Sequence, residues 1–351
     1  MMFKTRFLPL FVLLFCIQVY AHPGFRQITF SDQEGAVINV AVWYPTSSQG
    51  ITEDVGENPA FTGVTVIRDA LPTPGLHPLL VLSHGYNGNW RNLSWIAVAM
   101  AAQGYIVAAP DHPGTTTFNQ NPAQAKKLWR RPQDISQVID LMTKSPRLFG
   151  ETDKGRIAAL GHSLGGWTVM ELAGARFDAA RFAKDCLQQP LRGDCNVMQK
   201  LSIDEVPSQE KLSASYEDQR IRAVVSLDLG FAPGFTPQSM HGINIPVLIL
   251  AAQMDSLANL SASQESGYLA NEIGSRWGKY EIIEGATHFS FMQLCKAGAE
   301  ALINEGSPGD GIVCQDGNGI NRYNIHQKLV AKISAFLNSS LDFHSPADET
   351  K

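Results

Sequence analysis

A single serine stands among three glycines at the end of an apolar run in residues 156–166, which read RIAALGHSLGG. Inside a helix, each glycine would cost about 1 kcal/mol relative to alanine, so helix stability does not explain them. A sharp strand-to-helix turn does, because side chains two residues on either side of the serine would collide there. Gly161 and Gly165 remove that collision around Ser163, and Gly166 lets the following helix pack close to the sheet. The stretch therefore predicts a strand, a tight turn carrying the serine, and a helix.

The rest of the chain alternates between strand and helix patterns. Short apolar runs bounded by turn residues predict strands, and the later runs are continuously apolar, as in parallel strands buried on both faces. The alternation predicts one α/β domain over residues 22–351, with a mostly parallel, doubly wound sheet. The polar segment 176–219 interrupts it and is predicted to be an insertion that forms a cap beside the site. The predicted strands are 37–44, 79–83, 105–109, 156–160, 221–227, 246–251 and 280–283, and the predicted helices are 95–103, 134–143, 164–175, 263–273 and 324–337.

Residues 1–21 have the pattern of a signal peptide. Lys4 and Arg6 precede an apolar run, FLPLFVLLFCIQVYA, that is shorter than the ~20 residues needed to span a bilayer. A small-residue cleavage site follows, so we expect an exported mature chain that begins at His22 and has no stable membrane anchor. Lipid attachment at Cys16 is the weaker alternative, because an aromatic residue precedes it. The pattern does not separate the periplasm from the extracellular space.

Four cysteines remain in the predicted mature chain. In an oxidising compartment an even number favours disulfides, and sequence proximity pairs Cys186 with Cys195 and Cys295 with Cys314. A zinc site is the weaker interpretation, since no close Cys-x-x-Cys or Cys/His spacing accompanies them. The formal net charge of −5 gives no basic field, which disfavours nucleic acid as a partner. We predict no metal and no cofactor, and the sequence does not indicate an oligomeric state.

A serine hydroxyl becomes a useful nucleophile only with a histidine base and a carboxylate that orients it. When the serine lies on a strand-to-helix turn of this kind, the acid and then the histidine follow it in the chain. His288, in EGATHFSF just after the last predicted strand, is therefore the predicted base. Three other late histidines fall in a loop, a helical pattern and a polar tail, and are interpreted as structural or solvated: His241, His326 and His344.

Two aspartates compete for the role of the acid. Asp228 ends the strand AVVSL, and Asp255 ends the next strand, VLILAAQM. Both positions lie at the carboxyl edge, where an open α/β sheet builds its site. We favour Asp255, because the strand before the histidine strand is the commoner donor, and we keep Asp228 as the alternative. A buried carboxylate is too costly to leave unpaired, so the aspartate that is not catalytic should show a partner.

A tetrahedral oxyanion needs backbone N–H donors that already point at it. One is the N–H of Leu164, directly after the predicted nucleophile. The second is predicted from LLVLSHGYNGN, where Gly85 lets the chain turn so that the N–H of Tyr86 faces Ser163. We interpret His84 as a structural support of that loop rather than as a second base.

The order SHGYNGN, DHPGTTT, RRPQDI, GHSLGG, LILAAQMD and EGATHFSFMQLC resembles the secreted α/β-hydrolases of the platelet-activating-factor acetylhydrolase and predicted dienelactone hydrolase group. The tyrosine after His84-Gly85 and the later GATHF are also similar to cutinase-like polyester hydrolases. The resemblance spans about residues 37–337 and implies the α/β-hydrolase fold and a cofactor-free serine esterase.

Mapped by position, the resemblance assigns the triad to Ser163, Asp255 and His288, and the oxyanion hole to Tyr86 and Leu164. In the acetylhydrolase proper the acid follows the strand after the nucleophile, which points to Asp228. True dienelactone hydrolases use a cysteine where Ser163 stands, so that activity is not predicted here.

These features predict an exported serine carboxylic-ester hydrolase that forms an acyl-enzyme and acts on short to medium acyl esters. Its expected partner is a small-molecule or lipid ester. A lipase or phospholipase that uses segment 176–219 as a lid is the first alternative. A peptidase with the same triad is the second, and a catalytically silent binding protein is the third.

Overall fold

The structure is a computed structural model that describes residues 22–32, 34–203, 206–254, 262–317 and 319–342. The predicted signal peptide, the favoured acid Asp255 and the tail histidine His344 lie outside the described residues. Their predicted roles therefore stay predictions.

One ten-stranded sheet runs through the described residues. Its strands are β1 (Gly24–Ser31), β2 (Val37–Tyr44), β3 (Glu53–Val55), β4 (Val64–Arg68), β5 (Leu76–Ser83), β6 (Ile106–Pro110), β7 (Glu151–His162), β8 (Ile221–Leu227), β9 (Val247–Met254) and β10 (Gly278–Thr287). The spatial order is β10, β9, β8, β7, β5, β6, β2, β1, β4, β3. Strands β5 to β10 pair in parallel, whereas β2 pairs antiparallel with both β1 and β6. The carboxyl ends of six parallel strands therefore share one edge of the sheet.

Helices connect and cover the strands. The α-helices of the described residues are α1 (Ser94–Ala101), α2 (Pro122–Ala125), α3 (Arg130–Lys144), α4 (Pro146–Phe149), α5 (Leu164–Leu172), α6 (Ala179–Gln188), α7 (Gly193–Leu201), α8 (Val206–Leu212), α9 (Pro237–His241), α10 (Ser266–Ile273), α11 (Ala299–Gly306) and α12 (Arg322–Leu341). Short 3₁₀ helices occupy Trp90–Leu93, Ala232–Gly234, His288–Phe291 and Asp310–Cys314.

Both faces of the sheet are packed. Along β5, Leu79 and Val81 point into a core that contains α3, α5 and α10, whereas Leu80 and Leu82 point into a second core that contains α1 and α12. All four side chains are fully buried. This alternation on a continuously apolar strand explains why the later strands show no polar face, and it confirms the predicted doubly wound α/β sheet.

The seven predicted strands correspond to β2 and β5 to β10, and the five predicted helices correspond to α1, α3, α5, α10 and α12. The predicted start of α10 is wrong by three residues, because the helix begins at Ser266 rather than at 263. The N-cap of α10 is Glu265, whose side chain makes no capping bond and instead accepts from the N–H of Ala232. Segment 176–219 contains α6, α7 and α8.

Candidate active site

The turn between β7 and α5 carries Ser163 in a strained conformation. Its φ is 56° and its ψ is −121°, a region that non-glycine residues rarely adopt. A Cβ on Gly161 would overlap the carbonyl of Gly165, and a Cβ on Gly165 would overlap the carbonyl of Ser83. A Cβ on Gly166 would lie 2.7 Å from the Cβ of Leu229. The close approaches that the sequence predicted for this turn are therefore present.

His288 meets the serine from the end of β10. Its Nε2 lies 3.0 Å from Ser163 Oγ, within hydrogen-bond distance. The histidine is the first residue of a 3₁₀ helix whose N-cap, Thr287, is held by Ser290: the Thr287 N–H donates to Ser290 Oγ at 2.9 Å. The histidine side chain is largely buried, whereas Ser163 is partly exposed.

Asp228 is the acid that the described residues place against His288. Its Oδ2 lies 2.6 Å from His288 Nδ1, and its Oδ1 accepts from the Ala252 N–H at 2.7 Å. Its own N–H donates to the Leu250 carbonyl at 2.7 Å, so β9 holds both its backbone and its side chain. Asp228, the predicted alternative, therefore makes the contact with His288 that was predicted for the favoured Asp255.

The loop that carries His288 is braced from α12. Ser290 donates to Asp316 at 2.5 Å, and the Arg322 guanidinium pairs with the same carboxylate at 3.0 Å. Arg322 also donates to the carbonyl of Gln293 at 3.1 Å. The disulfide between Cys295 and Cys314, predicted from their proximity in the sequence, closes this braced loop. The second predicted disulfide, Cys186–Cys195, is also present.

Two further histidines support the same loop through its backbone carbonyls. His162 Nε2 donates to the His288 carbonyl at 2.8 Å, and burial lowers the pKa of His162 to about 3, so the ring is neutral. His326 Nε2 donates to the Ser290 carbonyl at 3.1 Å, and its ring stacks on Trp95 with centroids 3.9 Å apart. No role was predicted for His162; its place beside the predicted nucleophile was the available signal.

The loop after β5 packs against the serine. A Cβ on Gly85 would lie 3.1 Å from the Cβ of Ser163. His84 Nε2 accepts from the His112 N–H at 3.0 Å, so the proton sits on Nδ1, which donates to the Gly85 carbonyl at 2.7 Å. In a trans peptide the carbonyl and the following N–H point in opposite directions, so this bond fixes the direction of the Tyr86 N–H. Burial lowers the pKa of His84 to about 3, which keeps the ring neutral.

A buried polar network lies behind that loop. Ser83 donates to His112 Nε2 at 3.0 Å, and His112 Nδ1 donates to Asp134 at 2.9 Å. The Arg131 guanidinium donates to Ser83 Oγ at 3.2 Å and to the His84 carbonyl. It also donates to hydroxyls on α5 and on the loop after β6, namely Thr168 and Thr115.

Burial dominates the charges of this network. It lowers the pKa of Arg131 to about 9 and raises the pKa of Asp134 to about 7. It also lowers the pKa of His112 well below its usual value, an effect that the Arg131 charge strengthens. His112 is therefore neutral, and Ser83 is fully buried, so this second Ser–His–Asp chain does not meet a substrate.

Within the described ranges, no group of three or more His, Cys, Asp and Glu side chains is arranged to hold a metal ion. No helix in the same ranges combines the length and the apolar character needed to cross a bilayer.

This chain is similar to several known hydrolases. The profile of a family described as serine aminopeptidase, S33, matches residues 76–183, which include β5, β7, α5 and Ser163. Cutinase est1 from Thermobifida alba is 25% identical over 214 residues, which is 60% of this chain and 53% of the cutinase. A bis(hydroxyethyl) terephthalate hydrolase from Streptomyces coelicolor is 26% identical over 116 residues, covering 33% of this chain and 34% of that enzyme. The chain spans about half the length of the cutinases that it matches.

Two solved structures share the fold over almost the whole chain. A ferulic acid esterase from Streptomyces cinnamoneus superposes with a TM-score of 0.62 and 18% identity, covering 94% of this chain and 95% of the esterase. A puromycin-hydrolyzing peptidase from Mycobacterium tuberculosis gives a TM-score of 0.53 at 15% identity, covering 93% of this chain and 40% of the peptidase. The predicted resemblance to cutinase-like hydrolases is confirmed at low identity, whereas the acetylhydrolase and dienelactone hydrolase group is not among these relatives. The described chain has the fold of an α/β-hydrolase.

Proposed function

We propose that this protein is a serine carboxylic-ester hydrolase in which Ser163, His288 and Asp228 form the catalytic triad. The proposal rests on the continuous hydrogen-bond chain from Ser163 Oγ through both nitrogens of His288 to Asp228, at 3.0 Å and 2.6 Å. The strained turn that presents the serine supports it, as does the similarity to cutinases and to a terephthalate ester hydrolase. We choose Asp228 over Asp255 because of its contact with His288.

The first half-reaction is acylation of the serine. His288 Nε2 takes the proton of the Ser163 hydroxyl as Oγ attacks the ester carbonyl carbon, and Asp228 stabilises the imidazolium through Nδ1–H. The N–H groups of Leu164 and Tyr86 donate to the oxyanion. Leu164 is the first residue of α5, where a helix N–H has no intrahelical partner. The tetrahedral intermediate then collapses, and the imidazolium gives its proton to the departing alcohol.

Deacylation repeats these steps with water. His288 takes a proton from a water molecule that attacks the acyl carbonyl, and the proton returns to Ser163 Oγ as the acid product leaves. This chemistry uses only the side chains and backbone donors described above. The expected substrates are small or lipid esters with short to medium acyl chains.

We also propose that the protein is exported. Two disulfides join cysteine pairs in the described residues, and disulfides persist in oxidising compartments. The signal-peptide pattern of residues 1–21 is the second argument.

Hydrolysis of p-nitrophenyl esters from acetate to palmitate tests the proposal. We expect an optimum among the short to medium chains, and Ser163→Ala should lower turnover by about a millionfold, to the level left by binding and the oxyanion hole alone. Ser213→Ala, which changes an exposed serine, is the matched control and should behave like the wild type. Ester turnover that survives in Ser163→Ala would contradict the assignment.

A peptidase is a second candidate, favoured by the matched family profile and by the shared fold of the puromycin-hydrolyzing peptidase. The same triad would then attack an amide. Comparing kcat/KM for an aminoacyl p-nitroanilide with that for a p-nitrophenyl ester separates the two functions. Faster amide turnover would replace the esterase proposal.

A lipase is favoured by two exposed leucines in segment 176–219. Leu187 and Leu191 are 83% and 79% exposed at the junction of α6 and α7, a place where apolar side chains can meet a lipid surface. A jump in rate when the substrate passes its aggregation threshold would support a lipase. A rate that rises smoothly through the threshold would support the simple esterase.

A further inference from the structure

The loop after Asp228, residues 229–236, has two internal backbone bonds and is otherwise held by groups outside it. The loop leaves the sheet at the end of β8 and passes through the 3₁₀ helix Ala232–Gly234. Its polar backbone groups bind segment 176–219 and α10. Because this loop begins next to the proposed triad acid, its partners can influence where that acid lies.

Two buried carboxylates hold the first part of the loop. The Phe231 N–H donates to Asp194 Oδ2 at 3.1 Å, and the Ala232 N–H donates to Glu265 Oε2 at 2.7 Å. Asp194 belongs to α7 in segment 176–219, and Glu265 precedes α10. Both carboxylates are at least 95% buried, so water does not compete for these bonds.

The remaining loop groups bind the same two regions. Arg181 donates to the Pro233 carbonyl at 2.8 Å, and the Tyr268 hydroxyl donates to the Phe235 carbonyl at 2.9 Å. Two backbone bonds, Asp178 N–H to the Gly234 carbonyl at 2.8 Å and Thr236 N–H to the Arg176 carbonyl at 3.0 Å, complete the set. Segment 176–219 thus supplies hydrogen-bond partners to backbone groups of the loop, as neighbouring residues do within a regular strand or helix.

Arg192 neutralises the buried carboxylates. Its Nε donates to Asp194 at 2.7 Å and lies 3.4 Å from Glu265, and its Nη1 donates to the partly exposed Asp185 at 2.5 Å. Burial and the neighbouring Asp194 raise the pKa of Glu265 well above its usual value. The disulfide Cys186–Cys195 joins α6 to α7 next to this cluster.

The backbone is strained at one position just before the loop and at one position within it. Asp228 and Phe231 have φ values of 44° and 69°, which are unfavourable for non-glycine residues. Such conformations persist only when the surrounding structure holds them. The Phe231 ring is held by Phe182 of α6, with centroids 5.0 Å apart, and its N–H by Asp194.

We propose that Asp194 is a positioning residue: through the Phe231 N–H it keeps the strained loop in place and so holds Asp228 against His288. Segment 176–219, which was predicted to be a cap beside the site, then also helps to position the triad acid. This inference rests on the proposed function only in naming Asp228 as the acid; the contacts of the loop stand independently of it.

The test compares Asp194→Ala with Asp194→Asn and with Asp185→Ala. Asp194→Ala removes the acceptor of the Phe231 N–H and should lower kcat about 10- to 100-fold, because Asp228 then shifts away from His288. KM should change less than about twofold, because the surface that binds the acyl group is not altered. The acidic limb of the kcat/KM profile should move to lower pH, because a withdrawn carboxylate no longer favours the imidazolium. A residue that only stabilises the fold would lower Tm without moving that limb.

The control variants separate the hydrogen bond from the charge. Asp194→Asn retains an oxygen that accepts from Phe231 N–H, and Asp185 and Glu265 still lie next to Arg192, so activity should stay within about threefold of the wild type. Asp185→Ala removes a carboxylate that binds Arg192 but not the loop, and should leave kcat and the pH profile unchanged.

Two further measurements keep the proposal falsifiable. If Asp194→Ala does not fold, Glu265→Ala removes the adjacent acceptor while Arg192 keeps two carboxylates, and we expect a smaller shift of the limb in the same direction. The downfield proton resonance of His288 Nδ1–H, identified by its loss in His288→Ala, reports the bond to Asp228 without any substrate. It should move upfield in Asp194→Ala or, where that variant does not fold, in Glu265→Ala.

Unchanged kcat, pH limb and resonance in the variant that folds would overturn the proposal, and so would an equal loss in Asp185→Ala. Failure of the proposed function looks different: the wild type would hydrolyse no ester, while the resonance would still report on the loop.

Discussion

Two chains of serine, histidine and aspartate lie near the same sheet edge, and only one has the surroundings of an active site. Ser163, His288 and Asp228 are linked at 3.0 Å and 2.6 Å. The second chain, formed by Ser83, His112 and Asp134, is linked at 3.0 Å and 2.9 Å.

The distances are nearly equal, so the difference lies in the environment. Ser163 is partly exposed on a strained turn, whereas Ser83 is fully buried at the end of β5. The guanidinium of Arg131 donates to Ser83. Burial, strengthened by the Arg131 charge, lowers the pKa of His112, which opposes protonation of that base. Hydrogen-bond geometry alone therefore does not identify a nucleophile; access and the electrostatics around the base decide.

The acids offer the sharpest contrast. Asp228→Asn should lower kcat by about 10⁴-fold, because the amide stabilises the wrong tautomer of His288 and no longer stabilises its imidazolium. Asp134→Asn should leave kcat within about tenfold of the wild type. Two groups, His112 and Ser83, lie between Asp134 and the loop after β5. Steady-state kinetics on a p-nitrophenyl ester checks both, and equal losses would erase the distinction between the chains.

Arg131 links the buried chain of Ser83, His112 and Asp134 to the loop after β5, which carries the proposed oxyanion donor, the Tyr86 N–H. Arg131→Lys should lower kcat by about 10- to 100-fold, because an ammonium does not reproduce the fork that reaches Ser83, Thr168, Thr115 and the His84 carbonyl. The KM for a small ester should change less than kcat. A variant with wild-type kcat would show that the loop keeps its shape without this residue.

The pH dependence of stability distinguishes Asp134 from an ordinary surface carboxylate. Burial raises its pKa to about 7 from 3.8, so the folded state binds more protons than the unfolded state between those values. Its contribution to the free energy of unfolding is therefore full below pH ~4 and falls as the pH rises to ~7. Urea unfolding of wild type and Asp134→Asn across this range should show the wild type losing up to a few kcal/mol relative to the variant. A constant difference would contradict the shifted pKa.

Ser83→Ala should have the smallest effect. It removes a hydroxyl that donates to His112 and accepts from Arg131, at a cost of about 1–3 kcal/mol in the free energy of unfolding. Ester turnover should stay within about threefold of the wild type, and a fluorophosphonate should still label Ser163. A label on Ser83 in the wild type would reverse the assignment of the two chains.

Much of the sheet was predictable because buried parallel strands are continuously apolar. Three strands were not predicted: β1, β3 and β4. In β1, exposed and partly buried residues alternate after the first two positions, and β3 has only three residues, of which two are exposed. The helices of segment 176–219 were not predicted because the segment is polar. Each helix buries only the few side chains that face the rest of the chain, so its apolar pattern is short.

The amino-acid sequence by itself indicated the turn at Ser163, the histidine at 288, both disulfides and the α/β fold. The turn, the histidine and the disulfides depend on neighbours close along the chain: glycines two residues away, a strand just before, or a cysteine within 20 positions. The fold was indicated by strand and helix patterns, each of them local, that alternate along the chain. The contact between Asp228 and His288 spans 60 residues, and the one between Asp194 and Phe231 spans 37. Only the tertiary structure decided such contacts, because strand order and backbone hydrogen bonds across the sheet determine which distant side chains meet.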